Sequence, residues 1–313
     1  KQCLKKCIFN MKKILITGGS GTLVKGFIEK YYNKFEFYNY SRNEEKQSDL
    51  KRDFPNINNI IGSVEDSHTL NITYSKINPD IVIHCAAMKH INIAEENSIE
   101  CCKINIIGSI NIIESSIEYG VPITIGISSD KSCDPSGVYG QSKYLMERCF
   151  VEANSDKFKF ACCRFANITF SNGSVLPFWL KLKKENKPLK LTEPKMNRLF
   201  FSIKETSEIL NKSINICENN EGGFILTKKV KSVNMMDLAK YISDNIEIVG
   251  PRLGEKLNET LITVKELDKT FLIEDDYIII KKENNISGNK LKKELNSLNS
   301  EKMNSDDIKK MLE

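Results

Sequence analysis

The segment Lys12–Thr22, KKILITGGSGT, decides the fold. It is a short apolar run typical of a buried strand, followed directly by Gly18, Gly19 and Gly21 and then by the helical stretch LVKGFIEKYYNKF. A strand, a glycine turn and a helix in this order are the context that a dinucleotide-binding motif requires. Glycines let the backbone approach a pyrophosphate, whose charge is favoured at a helix N-terminus. Alone the pattern is weak, because glycine turns after strands are common and Val24 replaces the third glycine.

Beyond this segment, apolar runs and helical stretches alternate along the chain. This order predicts an α/β protein with a doubly wound parallel sheet of the Rossmann type. The alternation stops near Ser171, which indicates a smaller C-terminal substrate-binding lobe over the carboxyl edge of the sheet. Strands are predicted at residues 12–17, 35–40, 59–64, 81–87, 121–127 and 158–165.

The change of pattern divides the chain into parts. Met11 is a candidate native start, because the ten residues before it form a short basic leader that is too polar to span a membrane. The predicted parts are the leader at 1–10, the dinucleotide-binding domain at 11–171, to which 201–231 returns, and the smaller substrate-binding lobe at 172–200 and 232–313.

Composition limits the class of protein. The 313 residues carry a net charge of +5 with scattered lysines, so no nucleic-acid-binding patch is predicted. Ten cysteines occur without a secretory signal and without any CxxC, which indicates reduced thiols in a cytoplasmic protein. With three histidines in the whole chain, we expect no metal site.

The second predicted strand, FEFYNY, is followed by Ser41 and Arg42. A NAD site usually places an acid here to hold the ribose 2′-hydroxyl, but the first acid is Glu44. A hydroxyl and a guanidinium suit a 2′-phosphate better, which favours NADP over NAD. The alternative is a solvated turn. After the third strand, Ser63 and Val64 fall where an adenine edge could rest.

The fourth predicted strand, 81–87, ends in small residues, which let the strand end approach a ligand closely. A helix is predicted next, over 93–120, and Gly120 ends it. Asn105 lies inside this helix. A mid-helix asparagine is usually solvated, but here it could also orient a lysine through a water.

The fifth predicted strand leads into Ser128–Lys143, SSDKSCDPSGVYGQSK. Tyr139 and Lys143 are four residues apart, so a helix that begins near Tyr139 puts phenol and ammonium on one face. The ammonium stabilises phenolate, which lets the phenol act as a base. With a hydroxyl, an acid and an amine at 129–131, the segment predicts a chemical site. A loop salt bridge beside an ordinary helix is the alternative, and YxxxK alone favours it.

In chain order, TGGSGT, HCAAMKH, SSDKS, YGQSK, RFAN and RLGEKLNE resemble the motifs of extended short-chain dehydrogenases/reductases. More narrowly, MKHINIAEENSIECCKINIIGS, SDKSCDPSGVYGQSK, NGSVLPFW and RLGEKLNE resemble bacterial nucleotide-sugar 4,6-dehydratases that act on UDP- or GDP-linked N-acetylglucosamine. The resemblance covers residues 11–276. It departs from the family at Val24, at Ser129, where threonine is commoner, and at Arg164–Asn167, which replaces a RYGNV-like run.

The resemblance implies a role for each matching residue. Catalysis would be carried by Ser129, Asp130, Lys131, Tyr139 and Lys143. NADP would be bound by Gly18, Ser20, Gly21, Thr22, Ser41, Arg42, Ser63, Val64, Ala86, Lys89, Asn105, Tyr139 and Lys143. The nucleotide sugar would be bound by Lys89, Asn167, Val175, Arg198, Arg252 and Glu255. For Arg252 and Glu255 the alternative is a salt bridge within a turn.

The implied reaction is a dehydration with transient oxidation. Tyr139, its pKa lowered by Lys143 and the nicotinamide charge, would take the proton of the sugar C4 hydroxyl while hydride passes from C4 to NADP+. The 4-ketone acidifies C5, whose proton Lys131 would remove if burial and its neighbours lower its pKa. A protonated Asp130 would assist loss of the C6 hydroxyl, and hydride would return to C6. Ser129 would hydrogen-bond the C4 oxygen.

Two alternatives remain open. A 4-epimerase on the same scaffold needs only the tyrosine, the lysine and a hydroxyl, and it has no use for Asp130 and Lys131. A non-catalytic NADP-binding regulator would have no reason to keep Tyr139 and Lys143. The sequence does not decide between UDP and GDP or the face on which C5 is reprotonated. We expect a cytoplasmic homo-oligomer that takes a nucleotide sugar early in a bacterial surface-glycan or nonulosonic acid pathway, with no nucleic-acid or membrane partner.

Overall fold

The computed structural model describes residues 11–251, 255–274, 277–281 and 288–312. Within these ranges the strands are β1 (Lys13–Thr17), β2 (Glu36–Ser41), β3 (Asn58–Ile61), β4 (Ile81–His84), β5 (Ile123–Ser129), β6 (Lys159–Phe165), β7 (Asn167–Ile168), β8 (Leu189–Leu191), β9 (Asn197–Phe201), β10 (Phe224–Lys228), β11 (Ser232–Asn234), β12 (Ile246–Ile248), β13 (Thr260–Ile262), β14 (Thr270–Leu272), β15 (Tyr277–Lys281), β16 (Asn289–Lys290) and β17 (Leu295–Asn296).

The α-helices of the same ranges are α1 (Thr22–Tyr31), α2 (Glu44–Asp53), α3 (Ser67–Ile77), α4 (Ile91–Glu96), α5 (Ser98–Cys102), α6 (Gly108–Glu118), α7 (Val138–Ala153), α8 (Val175–Lys184), α9 (Ile203–Glu218), α10 (Met235–Ile242) and α11 (Ser305–Leu312). Short 3₁₀ turns occupy Asp130–Ser132 and Val264–Lys269. The single helix predicted over 93–120 is interrupted, because a π-helical turn at Lys103–Ile107 separates α5 from α6.

The predicted doubly wound parallel sheet is confirmed. In the described residues it contains ten strands in the order β16-β14-β15-β10-β6-β5-β4-β1-β2-β3. The strands from β3 to β10 in this order run parallel to one another. Strand β15 then joins β10 in the antiparallel sense and β14 joins β15, so Thr270–Leu272 and Tyr277–Lys281, which the sequence analysis assigned to the lobe, extend the main sheet.

Apolar side chains cover both faces of this sheet. On one face Ile14 and Ile16 of β1 pack with buried residues of α1 and α9, and on the other Leu15 packs with α3, α6 and α7. Alternation along a strand sends successive side chains to opposite faces, so helices on both sides are needed to bury them. Each fully buried aliphatic side chain contributes about 1.5–3 kcal/mol to this packing.

Helix α1 packs closely against α9 rather than only against the sheet. Val24, in the place of the motif's third glycine, is a buried core residue. Gly26 allows the close approach of α1 to α9, since a Cβ built there would lie 2.1 Å from Cγ2 of Ile203 at the start of α9. The glycine turn therefore keeps its position at the carboxyl end of β1 despite the valine.

A smaller apolar cluster lies outside the main sheet. It unites α8 and α10 with the short strands β8 and β9, and Trp179 is its largest buried side chain. Strand β9 pairs with β7, which directly follows β6, and with β11. These pairings bring the lobe to the carboxyl end of the parallel strands. No helix of the described ranges is long and apolar enough to cross a membrane.

Candidate active site

The carboxyl end of β5 carries the predicted acid, amine and hydroxyl on a tight turn. The Ser132 hydroxyl donates to the main-chain oxygen of Ser129, which closes the 3₁₀ turn, and it also lies 3.0 Å from Oε1 of Glu147 on α7. Glu147 in turn accepts two hydrogen bonds from the buried guanidinium of Arg164 on β6. Buried ionic contacts therefore tie this turn to the helix and the strand beside it.

Ser129, Asp130 and Lys131 contact one another within this turn. The Ser129 hydroxyl donates to Oδ1 of Asp130 at 2.7 Å, and Nζ of Lys131 lies 3.0 Å from the same oxygen. The side chain of Asp130 is 1% exposed and that of Lys131 is 27% exposed. The acid is thus enclosed, while part of the lysine side chain faces the open side of the site.

Helix α7 presents Tyr139 and Lys143 to the turn, one helical turn apart, and both are buried. The helix starts against Glu95, whose Oε1 accepts the Val138 main-chain N–H at 2.6 Å. Nζ of Lys143 donates to the main-chain oxygen of Ile127 on β5 at 2.7 Å. The structure therefore brings the predicted pair together with the serine, acid and lysine of the turn.

The protonation of this pair differs from the expectation. Burial raises the pKa of Tyr139 to about 12, and the opposing effects come from Lys131 and the Ser129 hydroxyl rather than from Lys143. Burial also lowers the pKa of Lys143 to about 8. Taking a group out of water disfavours its charged form. The predicted lowering of the tyrosine pKa is therefore absent in the protein alone.

Glu259 joins the site, although the sequence analysis did not identify it. It is buried, and its Oε1 lies 3.0 Å from Nζ of Lys131 and 3.3 Å from Nε of Arg198, while Oε2 accepts from Asn167 at 2.6 Å. It belongs to the RLGEKLNE run, so its motif was available, but its contact with a lysine 128 positions away was not.

Two carboxylates change the protonation of Lys131. Although burial acts to lower it, Asp130 and Glu259 raise the pKa of Lys131 above its usual range. The condition that the sequence analysis set for Lys131 as a base is therefore not met in the protein alone, because the attraction of two nearby carboxylates outweighs desolvation. Burial, with a smaller contribution from Glu259, raises the pKa of Asp130 to about 6 against the effect of Lys131. The acid is thus easier to protonate than an exposed aspartate.

The glycine turn fits a dinucleotide. Gly18 has φ +68°, and a Cβ built there would lie 2.9 Å from the main-chain N and Cα of Ala86 after β4. Gly21 precedes the first residue of α1 in extended conformation, so the turn lies at a helix N-terminus. Bare backbone at the carboxyl ends of β1 and β4, facing a helix N-terminus, is the arrangement that holds a pyrophosphate.

Ser41 and Arg42 lie at the end of β2. Ser41 is buried and its hydroxyl accepts from Gln47 at 3.0 Å, whereas the Arg42 side chain is 59% exposed. The guanidinium lies 3.9 Å from Oε1 of Glu65. Glu65 also accepts a hydrogen bond from the Ser63 hydroxyl. An exposed cation thus stands at the predicted place, with an acid close to it.

Other predicted cofactor contacts lie around the ends of β3 and β4. Val64 is a core residue against Gly108, with its main-chain oxygen accepting from Asn111. Asn105 lies in the π-helical turn, where its amide bonds both the N–H and the oxygen of Met88 and donates to the Ser142 hydroxyl. These hydrogen bonds fix the loop after β4.

Lys89 and Thr22 meet the segment that enters the lobe. Nζ of Lys89 donates to the main-chain oxygen of Asn172 at 2.7 Å, and the Thr22 hydroxyl accepts the Asn172 main-chain N–H at 3.1 Å. Burial lowers the pKa of Lys89, and the nearby charge of Lys46 adds to this effect. Ser20 is half-buried in the same glycine turn. The segment at Asn172 therefore spans the glycine turn and the loop after β4.

The predicted substrate residues are only partly brought together. Asn167 and Arg198 both contact Glu259, which pairs with Lys131, and Asn167 also accepts a hydrogen bond from Lys131. Nη1 of Arg198 donates to the main-chain oxygens of Asn197 and Leu257. Val175 begins α8, and Glu255 is half-buried. Arg252 lies outside the described residues. Within the described residues, no cluster of three or more His, Cys, Asp or Glu side chains could hold a metal.

The fold and the arrangement around Tyr139 and Lys143 are those of an extended short-chain dehydrogenase/reductase. Solved structures agree with this class. Pen from Bacillus thuringiensis superposes with a TM-score of 0.88 at 27% identity, over 97% of this chain and 98% of that one. WbmG from Bordetella bronchiseptica in complex with NAD superposes at 0.67 with 20% identity, over 80% and 84%, and shows the fold alone.

Sequence comparison narrows the class. A family profile described as polysaccharide biosynthesis protein matches residues 14–281. The UDP-N-acetylglucosamine 4,6-dehydratase (inverting) of Campylobacter jejuni is 36% identical in an alignment of 302 residues, and the match covers 91% of this chain and 89% of that protein. The chain belongs to this polysaccharide biosynthesis family.

Proposed function

We propose that the protein is a nucleotide-sugar 4,6-dehydratase that converts UDP-N-acetylglucosamine to its 4-keto-6-deoxy derivative. The observation that carries the proposal is the contact of Ser129, Asp130 and Lys131 with one another beside Tyr139 and Lys143, at the carboxyl end of β5. The 36% identical Campylobacter jejuni relative bears that activity in its name, which supports both the reaction and the UDP carrier. The name also supports inversion at C5.

The residues divide the chemistry among them. Tyr139 takes the proton of the C4 hydroxyl, and Ser129 donates a hydrogen bond to the C4 oxygen. A bound nicotinamide would supply the hydride acceptor for C4 and the hydride donor for C6. The 4-ketone makes the C5 proton acidic, and Lys131 removes it as a neutral amine. Asp130 gives its proton to the departing C6 hydroxyl, which leaves as water, and C5 takes up a proton again when hydride is added to C6.

The raised pKa values set conditions on these roles. Tyr139 becomes a base only if a positive charge enters the site and offsets its burial, and the oxidised nicotinamide brings such a charge. Because the carboxylates around Lys131 raise its pKa, little of its amine is neutral in the free protein. Substrate binding must therefore lower the pKa of Lys131 before the amine can accept the C5 proton. Asp130 is suited to the acid role, since burial raises its pKa to about 6.

For the cofactor we propose NADP. The glycine turn would hold the pyrophosphate, and Arg42 would pair with the 2′-phosphate, since its guanidinium is exposed at the end of β2. The competing consideration is Glu65, 3.9 Å from that guanidinium, which would repel a phosphate. The structural neighbour WbmG, which shares this fold, is in complex with NAD, so NAD is the alternative cofactor.

The test of the proposal is the product. Purified protein incubated with UDP-N-acetylglucosamine and NADP+ in D2O should give a 4-keto-6-deoxy sugar with deuterium at C5 by NMR. GDP-N-acetylglucosamine, run in parallel, tests the carrier. A product that differs from the substrate only in configuration at C4, without deuterium at C5, would overturn the dehydratase proposal and favour a 4-epimerase.

A further inference from the structure

Glu259 is a buried carboxylate for which the proposed reaction has no step. Its side chain is 10% exposed, and it lies two residues after Leu257 on the segment that leads into β13. One of its oxygens is shared by two cations, Nζ of Lys131 at 3.0 Å and Nε of Arg198 at 3.3 Å. A carboxylate so far removed from water is retained only with such partners.

The other contacts of Glu259 fix its direction. Oε2 accepts from Nδ2 of Asn167 at 2.6 Å, and its main-chain N–H donates to the Ser297 hydroxyl at 3.0 Å. Asn167 is itself held, because the same amide donates to the main-chain oxygen of Leu199. The carboxylate therefore cannot rotate away from Lys131 without breaking several buried contacts.

The ionisable groups around Lys131 come from four elements. Asp130 belongs to its own turn, Glu259 to the segment before β13, Tyr139 to α7, and Arg198 on β9 lies across the shared carboxylate oxygen. Asp130 is enclosed, and burial raises its pKa, so it loses its negative charge at a higher pH than an exposed aspartate does. Glu259 remains ionised, because Lys131 and Arg198 hold its pKa below the usual value although burial acts to raise it.

We infer that Glu259 is a positioning residue that holds the Lys131 amine in place and keeps it positively charged until substrate binds. Without this carboxylate, Lys131 would keep Asp130 beside it but lose the anion that it shares with Arg198, and the loss of a nearby opposite charge favours the neutral amine. Only the consequence of this inference rests on the proposed function. That consequence is that Glu259 sets the pH range in which Lys131 can accept the C5 proton.

The experiment measures Lys131 directly and in turnover. The protein is labelled with ¹³C at lysine Cε, the Lys131 signal is assigned by its loss in Lys131→Met, and it is followed as a function of pH. In Glu259→Gln, which keeps the shape but not the charge, the Lys131 titration should move down by about 1–3 pH units. Glu259→Asp, which keeps the charge, should restore most of the shift.

A matched control separates local charge from general damage. Glu266→Gln removes another partly buried carboxylate, one that pairs with Arg164 rather than with Lys131. It should leave the Lys131 titration where it is in the wild type. An unchanged titration in Glu259→Gln, or an equal shift in Glu266→Gln, overturns the inference.

Turnover distinguishes this inference from the proposed function. From wild type to Glu259→Gln, the pH profile of deuterium incorporation at C5 should shift in the same direction as the Lys131 titration. A purely structural loss would lower the rate of incorporation without shifting its pH profile. If the NMR titration shifts but the wild type forms no 4-keto-6-deoxy product, the function is wrong and the role of Glu259 stands. If the product forms and the titration does not shift, the reverse holds.

Discussion

Lys143 on α7 donates a 2.7 Å hydrogen bond to the main-chain oxygen of Ile127 on β5, two residues before Ser129. This bond joins the helix that carries the tyrosine to the strand that carries the acid and the second lysine. Because burial lowers the pKa of Lys143 to about 8, its charged form is only moderately favoured near neutral pH. The bond therefore fixes the amine by geometry, and the site depends on incoming charges to adjust its protonation.

Gly18 should be intolerant of any side chain. Gly18→Ala should reduce affinity for the dinucleotide strongly and lower the melting temperature, because φ is +68° and a Cβ would lie 2.9 Å from the main chain of Ala86. Gly120→Ala is the matched control, since φ there is +72° but no atom lies within 4 Å of the added Cβ. In this variant the free energy of unfolding should fall only by the backbone strain, about 1–2 kcal/mol. Calorimetry of cofactor binding and thermal unfolding measure both, and equal losses in the two variants would count against a cradle at Gly18.

Arg42 should decide the choice between NADP and NAD. Arg42→Ala should weaken NADP by the worth of one charge-assisted hydrogen bond, about 1.5–3 kcal/mol, and leave NAD nearly unchanged. Glu65→Gln should act in the opposite direction, because it removes the acid 3.9 Å from the guanidinium. Arg52→Ala is the control, since that arginine lies on α2 and pairs with Asp49 on the surface. Equal losses of affinity for both cofactors in Arg42→Ala would show that the end of β2 does not discriminate between a 2′-phosphate and a 2′-hydroxyl.

The buried ion cluster at Arg164 should be essential for stability. Arg164→Met leaves Glu147 and Glu266 without the guanidinium that lies 2.7 Å and 2.8 Å from them, so the free energy of unfolding should fall by about 3–5 kcal/mol. Arg148→Met, at an exposed position of α7, should change it little. Urea denaturation measures both variants. Similar midpoints for the two would mean that the cluster contributes little to folding.

Loss of water should be sensitive to pH through Asp130. The acid acts when protonated, and burial raises its pKa to about 6, so its contribution is full below that pH and declines as pH rises through it. Asp130→Asn should abolish product formation, and with it this pH dependence, while deuterium exchange at C5 continues. Product formed at a normal rate by the asparagine variant would assign the acid role to another group.

The fold and the core of the site were predictable because their signals are local. The glycine turn after β1 and the four-residue spacing of Tyr139 and Lys143 each lie within one short segment, where periodicity can be read. Glu259 was missed because its importance depends on a contact with Lys131 across 128 positions. Strands β14 and β15 were missed as parts of the main sheet for a similar reason, since pairing with β10 is set by tertiary packing and not by local pattern.

The protonation states were also beyond the sequence. Lys131 stands next to an aspartate, and burial alone would have lowered its pKa as predicted. Asp130 and, from a distant part of the chain, Glu259 together make the net shift upward. The sign of such a shift follows from the balance between desolvation and neighbouring charges, and only the folded arrangement determines both.

Lys131 itself separates dehydration from the simpler uses of this fold. Lys131→Met keeps the aliphatic stem but has no nitrogen to titrate, and the stem is partly exposed, so the variant should fold. It should still bind cofactor and nucleotide sugar and oxidise C4, because Tyr139 and Lys143 remain. The oxidised intermediate should then accumulate, and the absorbance of the reduced nicotinamide should persist.

The same variant should neither form the 4-keto-6-deoxy sugar nor exchange deuterium into C5, while the wild type does both. Lys131→Arg serves as the companion variant, since it keeps the charge beside Asp130 and Glu259 but is not deprotonated in proteins. It should fail at C5 as the methionine variant does, with substrate affinity closer to the wild type. If Lys131→Arg dehydrates the sugar at nearly the wild-type rate, the residue acts through its charge and another group removes the C5 proton.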